Sequence, residues 1–433
     1  MKVQYSISLL VSLFLCFLTD ISAQEIYFPE VGSDDWETIG QQELGWCQKN
    51  VDELISLNQE GNSKALIILK GGKIALEEYF GDHDATKNWY WASAGKSLTA
   101  SLVGIAQKEG LVDINNLTSD YLGNWTACED ANSNVTVRHQ LTMTTGLDYN
   151  YDVDCTDIDC LDCLNEVGAE WFYHNAPYTL LENVIENATG ETYLSYTKNT
   201  IGNKIGMNGF WLPIGDNNIY FSTARSMARF GLMMQANGDW NGEEIIKDKD
   251  YYNSMITPSQ EINKSYGYLW WLNGQESYRL PGTTITFPGP ILPQAPDDTY
   301  LAIGKNGQYI IVIPSEDVVI IRMGDNPDEG LVPLNFLIEI IDSYNNLSCT
   351  NDINDVESSL EQIEIINKIC LNRLRVSGLQ KSAAYSISNY SGVEVQNGMV
   401  NNKEIDVSRL SRNLYFITFF EGADLVTRRF YKR

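Results

Sequence analysis

Two short apolar runs near the start of the chain are separated by a pair of glycines. The two runs are residues 66–69 and 74–80, and Gly71 and Gly72 lie between them. Strand-length apolar runs joined by glycine predict two adjacent β-strands connected by a tight turn. We therefore expect the edge of a β-sheet to form early in the chain.

The next apolar pattern has the spacing of a helix. Apolar residues recur at positions 98, 102, 105 and 106, and Gly110 follows as a stop signal. This recurrence places the apolar side chains on one helical stripe. The pattern predicts a buried helix that begins close to Ser93, where an aromatic run ends.

The middle of the chain is mostly helical in pattern, and strand patterns return after it. Between residues 111 and 290 the clearest amphipathic runs are 178–186 and 222–234. Strand patterns then follow at residues 266–272, 300–303, 308–313 and 318–323. Strands at both ends with helices between them predict an α/β (α+β) fold, in which distant segments close one sheet beside a helical lobe.

A polar stretch divides the chain into two folded parts. At 433 residues the chain is too long for one ordinary hydrophobic core. Residues 346–362 are rich in Asn and Asp, which predicts a linker, and residues 363–433 carry short alternating strand patterns. We expect a larger domain over residues 24–345 and a small all-β sandwich over residues 363–433.

The first 23 residues have the pattern of a secretory signal peptide. Lys2 precedes an apolar stretch over residues 9–18, and Ser22 and Ala23 provide small residues before a cleavage point. We expect the mature chain to begin at Gln24 and to be secreted or displayed at the cell surface. No later stretch is apolar for long enough to predict a membrane-spanning helix.

The charge of the chain argues against one class of partner. The formal net charge is −27 at pH 7. Proteins that bind nucleic acid need clustered Lys and Arg to neutralise phosphates. We therefore expect no nucleic-acid partner.

Cysteines are expected to form disulfides in an exported chain. Seven of the eight cysteines lie after the signal peptide, so at least one of them cannot pair within the chain. We expect at least one disulfide within the group Cys128, Cys155, Cys160 and Cys163, with Cys155 and Cys160 as the first choice. A zinc site in this group is a poor alternative, because Asp residues dominate its surroundings.

Ser93 and Lys96 are the first candidates for chemistry. Their spacing of three places a hydroxyl and an amine on one face of a helix. A buried lysine with a lowered pKa can take the proton of a serine nucleophile. The same spacing occurs at Ser195 and Lys198, but these lie inside a helical run and are interpreted as structural.

Tyr173 and Asn175 are the second pair of candidates. A lysinium nearby is expected to lower the pKa of Tyr173, so that the tyrosine moves a proton to the leaving group. Asn175 is expected to donate to a substrate carbonyl and to orient Lys96. The same Tyr-x-Asn spacing begins at Tyr251 and Tyr344, which are interpreted as packing or surface tyrosines.

Competing chemistries have weaker patterns. The three histidines are far apart and form no metal-binding motif, so no metal or organic cofactor is expected. Trp91 occupies the first glycine position of a Gly-x-Ser-x-Gly elbow, which argues against an α/β-hydrolase. His139 is interpreted as structural, and Trp270 and Trp271 as either walls of an acyl pocket or core residues.

Four motifs, in order, resemble those of the β-lactamase-related serine hydrolases. The motifs are Trp91-Ala-Ser93-Ala-Gly-Lys96-Ser-Leu-Thr, Val135-Thr-Val-Arg138-His139-Gln-Leu-Thr-Met-Thr-Thr-Gly146-Leu, Tyr173-His-Asn175-Ala-Pro-Tyr and Gly307-Gln-Tyr-Ile-Ile-Val-Ile-Pro314. This resemblance covers roughly residues 40–345. It implies a β-lactamase/transpeptidase-like fold, an antiparallel sheet flanked by helices.

The resemblance also implies roles for residues. Ser93 would be acylated, Lys96 and Tyr173 would act as acid and base, and Asn175 would contact the substrate. The strand that borders the active site in this family would be Ala302-Ile-Gly304. The backbone N–H of Lys305 would complete an oxyanion hole with that of Ser93. Ala302 departs from the Lys or His usual at that position, which removes a partner for a substrate carboxylate.

The end of the chain resembles the C-terminal sorting domains of proteins exported by the type IX route. The likeness is carried by Tyr385-Ser-Ile-Ser-Asn-Tyr-Ser-Gly392, Glu404-Ile-Asp-Val-Ser-Arg-Leu-Ser411, Leu414-Tyr-Phe-Ile417 and a basic terminus. It implies the type IX export machinery as a partner. The alternative is an accessory β-domain that binds another molecule.

The sequence as a whole predicts an exported serine hydrolase that is acylated at Ser93 and then releases the acyl group to water. Esters or small amides are the first expected substrates, D-amino-acid peptides the second and β-lactams the third. The alternative from another class is a non-catalytic surface binding protein that keeps the same fold.

Overall fold

The computed structural model describes residues 26–327, 332–349, 363–365, 369–370, 372–377, 383–389, 393–400, 403–421 and 424–432. The predicted signal peptide and residues 350–362 of the predicted linker lie outside the described residues. The chain forms two compact units, of which the first ends at Cys349 and the second begins at Thr350.

The first unit contains both helices and strands, and most of its helices follow one another in the middle of the unit. Its helices are α1 (Gln48–Glu60), α2 (Gly95–Lys108), α3 (Thr118–Leu122), α4 (Glu129–Asn134), α5 (Val137–Leu141), α6 (Asn175–Thr179), α7 (Leu181–Thr189), α8 (Tyr193–Thr197), α9 (Asn203–Ile205), α10 (Ala224–Gln235), α11 (Lys249–Met255) and α12 (Leu334–Asn345). Its strands are β1 (Ser63–Lys70), β2 (Lys73–Tyr79), β3 (Trp89–Tyr90), β4 (Gly209–Ile214), β5 (Asn217–Ser222), β6 (Asp239–Trp240), β7 (Glu243–Glu244), β8 (Trp271–Leu272), β9 (Ser277–Arg279), β10 (Thr286–Pro288), β11 (Tyr300–Gly304), β12 (Gln308–Ile313) and β13 (Val318–Gly324).

Six of these strands form the main antiparallel sheet, in the order β2-β1-β13-β12-β11-β8. The hairpin from the start of the unit thus pairs with strands from its end, as the sequence predicted. The buried runs in β1, β12 and β13 explain why these segments are apolar almost throughout.

Helices cover both faces of this sheet. A Cβ on Gly231 of α10 would lie 2.6 Å from Val319 Cγ1, so that helix packs directly on one face. Arg322 points to the opposite face, because side chains alternate along a strand. Its guanidinium lies 5.1 Å from the ring centroid of Phe336 in α12, which places α12 on that side.

The predicted strand over residues 266–272 is wrong for most of its length, because only Trp271–Leu272 forms strand β8. A Cβ on Gly267 would lie 1.9 Å from the carbonyl oxygen of Met255, so the chain makes a close approach there. Leu269 has a φ of 59°, which turns the backbone out of the extended conformation.

The second unit is all-β in its described residues. Its strands are β14 (Glu364–Ile365), β15 (Ile369–Cys370), β16 (Arg373–Ser377), β17 (Ala383–Asn389), β18 (Glu394–Val400), β19 (Glu404–Asp406), β20 (Asn413–Glu421) and β21 (Asp424–Lys432). They form sheets of order β14-β16-β19 and β15-β21-β20-β17-β18. One apolar core contains Leu374 from the first sheet and Ile417 and Phe419 from the second, which confirms the predicted all-β unit.

Three disulfides cross-link the described residues of the first unit: Cys47–Cys349, Cys128–Cys163 and Cys155–Cys160. The expectation of at least one disulfide among Cys128, Cys155, Cys160 and Cys163 is confirmed. All four are paired, and Cys155–Cys160 is the pair expected first. Among the described residues, the buried Cys370 is the only free cysteine. None of the helices in the described part of the chain combines the length and the apolar character needed to cross a membrane.

Candidate active site

Ser93 lies at the junction between strand β3 and helix α2. Residues Ala92–Ala94 form a 3₁₀ turn that leads directly into α2. Ala92 has a φ of 47°, a conformation that non-glycine residues rarely adopt. Such local strain persists only where the surrounding structure holds it, and here it orients the turn that carries Ser93.

Lys96 lies one helical turn after Ser93 and is almost completely buried, with 3% of its surface exposed. Its Nζ lies 3.2 Å from Ser93 Oγ, within hydrogen-bond distance. Burial lowers the pKa of Lys96 to about 7, although the Asp154 carboxylate acts in the opposite direction. A large share of Lys96 is therefore neutral near pH 7 and able to accept a proton.

Two buried tyrosine rings enclose the Lys96 amine. Its Nζ lies 5.1 Å from the ring centroid of Tyr173 and 4.1 Å from that of Tyr178. Ring faces attract a cation, so both rings stabilise the ammonium form that arises when Lys96 takes a proton. Tyr178 is held in turn by Thr99, whose Oγ1 lies 3.4 Å from the tyrosine hydroxyl and 2.6 Å from that of Tyr193.

Tyr173 completes the contacts around Ser93. The Ser93 hydroxyl is close enough to the Tyr173 phenol to influence it electrostatically, and Trp271 stacks on the tyrosine ring at a centroid distance of 5.8 Å. The expectation of a lowered pKa is wrong, because burial raises the pKa of Tyr173. The phenol therefore keeps its proton at neutral pH and is a donor rather than a base.

Asn175 opens helix α6 two residues after Tyr173. Its Nδ2 donates to Asp154 Oδ1 at 2.6 Å, while its buried Oδ1 has no hydrogen-bond partner among the described residues. The Asp154 carboxylate that accepts this bond also acts electrostatically on Lys96, whereas no hydrogen bond joins Asn175 to Lys96 among the described residues. Asp154 is a site residue that the sequence analysis missed.

The loop that carries Asp154 is cross-linked by two disulfides, whose loop cysteines all follow Asp154 in the chain. Cys155–Cys160 closes a small ring immediately after Asp154, and Cys128–Cys163 ties the same loop to the start of α4. The backbone N–H of Ala176 donates to the carbonyl of Val153 at 2.8 Å, which joins the loop to α6. These links fix the carboxylate beside the Tyr173–Asn175 segment.

Gly304 ends strand β11 beside the turn that carries Ser93. A Cβ at this position would lie 2.4 Å from the carbonyl oxygen of Trp91 and 3.2 Å from Ala92 Cβ. Only glycine permits this approach, which brings the start of the β11–β12 turn next to the nucleophile. The next residue, Lys305, has an exposed side chain.

Two buried polar residues fix the β11–β12 turn, and the sequence analysis identified neither. Gln308 Nε2 donates to the carbonyl of Lys305 at 3.2 Å. Arg322 Nη1 donates to the carbonyls of Asn306 and Gly307 at 2.5 and 2.7 Å. With their side chains fully buried, these two residues hold the peptide groups around Lys305 in place.

The competing candidates lie outside this cluster. Ser195 donates to Glu191 at 2.9 Å, and the side chain of Lys198 is exposed, so the second Ser-x-x-Lys pair lacks a buried amine. Tyr251 donates to the carbonyl of Ala100, and Tyr344 donates to Glu316. These contacts agree with structural roles.

The remaining aromatic and histidine residues also have structural contacts. His139 Nδ1 lies 3.1 Å from the backbone nitrogen of Thr136 and forms part of the α5 cap. Trp270 is fully buried and stacks on Phe230, so it is a core residue. In the part of the chain that the structure describes, no group of three or more His, Cys, Asp or Glu side chains has the arrangement of a metal site.

One protein-family model covers more than half of the chain. The Beta-lactamase family model matches residues 51–330. A curated relative, Protein flp of Staphylococcus aureus, is 24% identical over an alignment of 178 residues, and the match covers 35% of this chain. The chain spans only 36% of the length of that relative.

Solved structures show the same fold. The octameric penicillin-binding protein homologue from Pyrococcus abyssi is 16% identical with a TM-score of 0.55, over 88% of this chain and 89% of that chain. A penicillin-binding protein homologue from Caulobacter crescentus is 13% identical with a TM-score of 0.54, over 70% of this chain and 99% of that chain. The predicted fold class is thereby confirmed.

Proposed function

Since the chain belongs to the beta-lactamase family, we propose that it is an exported serine hydrolase, acylated at Ser93, that cleaves esters or small amides. The observation that carries this proposal is the contact of 3.2 Å between Ser93 Oγ and the buried Lys96 Nζ. A pKa of about 7 gives Lys96 the balance between neutral and charged forms that a general base needs near neutral pH.

In the proposed acylation step, Ser93 Oγ bonds to the carbonyl carbon of the substrate while neutral Lys96 takes its proton. The carbonyl electron pair moves to oxygen, which becomes an oxyanion. The ring of Tyr178 stabilises the lysinium formed in this step, because the ammonium group lies over its face.

Tyr173 then serves the leaving group. When the oxyanion collapses, the bond from carbon to the leaving oxygen or nitrogen breaks, and that atom takes the phenol proton of Tyr173. The lysinium returns a proton to the tyrosinate, so both residues regain their starting forms. The raised pKa of Tyr173 suits this role, because a protonated phenol is the required donor.

The oxyanion is proposed to lie between two backbone N–H groups, that of Ser93 and that of Lys305 on the β11–β12 turn. The close approach of Gly304 to Trp91 supports this role, because it brings that turn next to the nucleophile. Backbone donors held in place stabilise developing charge without reorganisation. Water then attacks the acyl-enzyme, with Lys96 again as the base.

Strand β11, which borders the proposed site, favours esters and small amides over β-lactams. Ala302 is buried and carries no charge, so it offers nothing to a substrate carboxylate. The β11–β12 turn that follows carries one cationic side chain, that of Lys305. Peptides ending in D-amino acids, which carry such a carboxylate, are the second substrate class, and β-lactams are the third.

The proposed location is outside the cytoplasm. Disulfides form and persist mainly in oxidising compartments, and three of them lie in the first unit. We assign cleavage after Ala23 to export and the second unit to recognition by type IX export machinery. Mass spectrometry of secreted protein tests both points, with Gln24 expected as the first residue and the chain expected to end near residue 360.

Fluorophosphonate labelling separates the proposed enzyme from a non-catalytic binding protein. We expect covalent labelling of the wild-type chain and of Ser195→Ala, and none of Ser93→Ala. Turnover of p-nitrophenyl esters should follow the same pattern. Equal labelling of all three chains would refute Ser93 as the nucleophile, and a folded wild-type chain with neither labelling nor turnover would refute the hydrolase.

A further inference from the structure

The small sheet that leads to Ser93 has a regular division between its two faces. Its strand order is β3-β5-β4. Tyr90 pairs with Phe221, and Phe221 pairs with Phe210 on the next strand. Paired residues in an antiparallel sheet share a face, and alternate residues along a strand share it too. One face therefore carries Tyr90, Phe210, Leu212, Ile214, Ile219 and Phe221, together with one polar residue, Asn217, opposite Ile214.

The opposite face accounts for the packing of this sheet. Trp211 and Tyr220 are 9% and 1% exposed. A Cβ on Gly95 would lie 3.5 Å from the Trp211 ring, so this face packs on the start of α2. The sheet is thus anchored to the core through Trp211 and Tyr220, and the face with Phe210 is not needed for that contact.

The face that remains is apolar and open to solvent. Phe210, Leu212 and Ile214 are 37%, 44% and 50% exposed. They are successive outward residues on edge strand β4, so they form one surface rather than isolated positions. Contiguous exposed apolar surface on a folded protein usually marks a binding site.

This apolar face is continuous with the candidate active site. Phe210 stacks on Phe221 at a centroid distance of 5.5 Å with nearly parallel rings, and Phe221 lies 6.2 Å from Tyr90. Tyr90 precedes Ser93 by three residues. Its hydroxyl accepts a hydrogen bond of 2.8 Å from Asn306, the residue after Lys305.

We propose that this face binds the acyl chain of the substrate, so that the preferred substrates are esters of linear fatty acids. The inference rests on the proposed hydrolase function. The leaving group must lie at Tyr173, which donates its proton, whereas the apolar row begins at Tyr90 beside the β11–β12 turn. The chain that follows this row is therefore on the acyl side of the scissile bond.

The dimensions of the row set an expected chain length. Residues 210–214 on β4 span roughly 13 Å, at about 3.3 Å per residue. An extended acyl chain advances about 1.3 Å per carbon–carbon bond, so a chain of roughly ten to eleven carbons matches this length. Each methylene that leaves water on this surface is expected to raise kcat/KM about two- to fourfold, until the row is filled.

The test compares p-nitrophenyl esters from acetate to decanoate, using the full mature chain and substrate concentrations below micelle formation. The wild-type kcat/KM should rise with chain length. In the double variant Leu212→Ser/Ile214→Ser this rise should be largely lost, while the acetate rate constant stays within about twofold of wild type. Ile285→Ser is the matched control, because Ile285 is 62% exposed but lies outside this sheet, and it should keep the wild-type profile.

Three results would overturn the inference. The first is a flat chain-length profile in a wild-type chain that turns over acetate, which leaves the hydrolase function intact. The second is an unchanged profile in the double variant. The third is a wild-type dimer that becomes monomeric in the double variant without loss of chain-length preference, which would make this face a subunit interface. Absence of both acetate turnover and Ser93 labelling would instead refute the hydrolase function, and the inference with it.

Discussion

Lys96 Nζ lies 4.1 Å from the centroid of the Tyr178 ring and 3.2 Å from Ser93 Oγ. The ring stabilises the lysinium that forms during acylation but adds little for the neutral amine of the resting enzyme. Such an interaction lowers the barrier, because it is stronger in the transition state than in the ground state.

The first prediction follows from this contact. Tyr178→Leu should lower kcat/KM about 2- to 30-fold, the range expected for losing a cation–π interaction of about 0.5–2 kcal/mol. Tyr178→Phe keeps the ring and loses only the hydroxyl near Thr99, so its kcat/KM should stay much closer to wild type. Steady-state kinetics with p-nitrophenyl acetate tests this, and equal losses in the two variants would assign the effect to the hydroxyl instead.

The second prediction concerns the acid and base at Ser93. Lys96→Ala and Tyr173→Phe should each lower the acylation rate by about 10² or more, the effect of removing a positioned proton-transfer group. Tyr173→Phe keeps the ring that stacks on Trp271, so its thermal stability should remain close to wild type. Stopped-flow acylation and circular dichroism test the two statements, and an unfolded Tyr173→Phe chain would contradict the second.

The third prediction is a pH shift. The pKa of Lys96 is about 7, and the protonated lysine cannot act as base, so kcat/KM should fall as the pH drops through about 7. The Asp154 carboxylate raises this pKa, so Asp154→Asn should move the acid limb to lower pH. The isosteric Asn keeps an acceptor for the Asn175 amide.

The exposed Asp159→Asn provides the matched control for this shift, because it removes one charge from the same loop. Its acid limb should stay near that of the wild-type enzyme. A shift of equal size in both variants would show that the net charge of the loop, rather than Asp154 in particular, sets the pKa of Lys96.

The local parts of the fold were predictable from the sequence, and the reason is physical. Gly71 and Gly72 between two apolar runs determine the β1–β2 hairpin, and the helical stripe after Ser93 determines α2. Both patterns depend on neighbouring residues. The strand predicted over residues 266–272 failed because Gly267 and Leu269 take a conformation that is set by contact with a distant segment.

The residues of the candidate active site show the same difference between local and distant contacts. Ser93 and Lys96 were predictable because one helical turn brings them together. Asp154 was not, because its position depends on a loop whose course is fixed by two disulfides. Arg322 was not either, since the carbonyls that it holds lie on a turn more than ten residues away, and only the folded sheet brings them together.

The fourth prediction is that unreduced protein comprising residues 24–433, before any loss of the second unit, has one titratable thiol, and only after unfolding. Six cysteines are paired in the first unit, and Cys370 is buried, which also raises the pKa of its thiol. Alkylation followed by mass spectrometry should modify Cys370 alone in denaturant. Modification of Cys155 or Cys160 in native protein would contradict the pairing beside Asp154.

The last prediction is that short-chain esters are cleaved measurably and β-lactams poorly. Acylation needs a nucleophile, a proton path and an oxyanion site, which Ser93, Lys96, Tyr173 and the turn at Lys305 are proposed to supply to any acyl group that fits. A β-lactam must also have its ring carboxylate held, and Ala302 on β11 has no group that can do so. Losing a hydrogen bond to such a charged group costs roughly 1.5–3 kcal/mol, or about ten- to a hundredfold in a rate constant.

The comparison of kcat/KM for p-nitrophenyl acetate and nitrocefin measures this difference. Faster nitrocefin turnover would contradict the ranking and identify Lys305, whose side chain is exposed beside the site, as the carboxylate partner. In that case Lys305→Ala should abolish the preference for nitrocefin while it leaves acetate turnover nearly unchanged, because the backbone N–H remains.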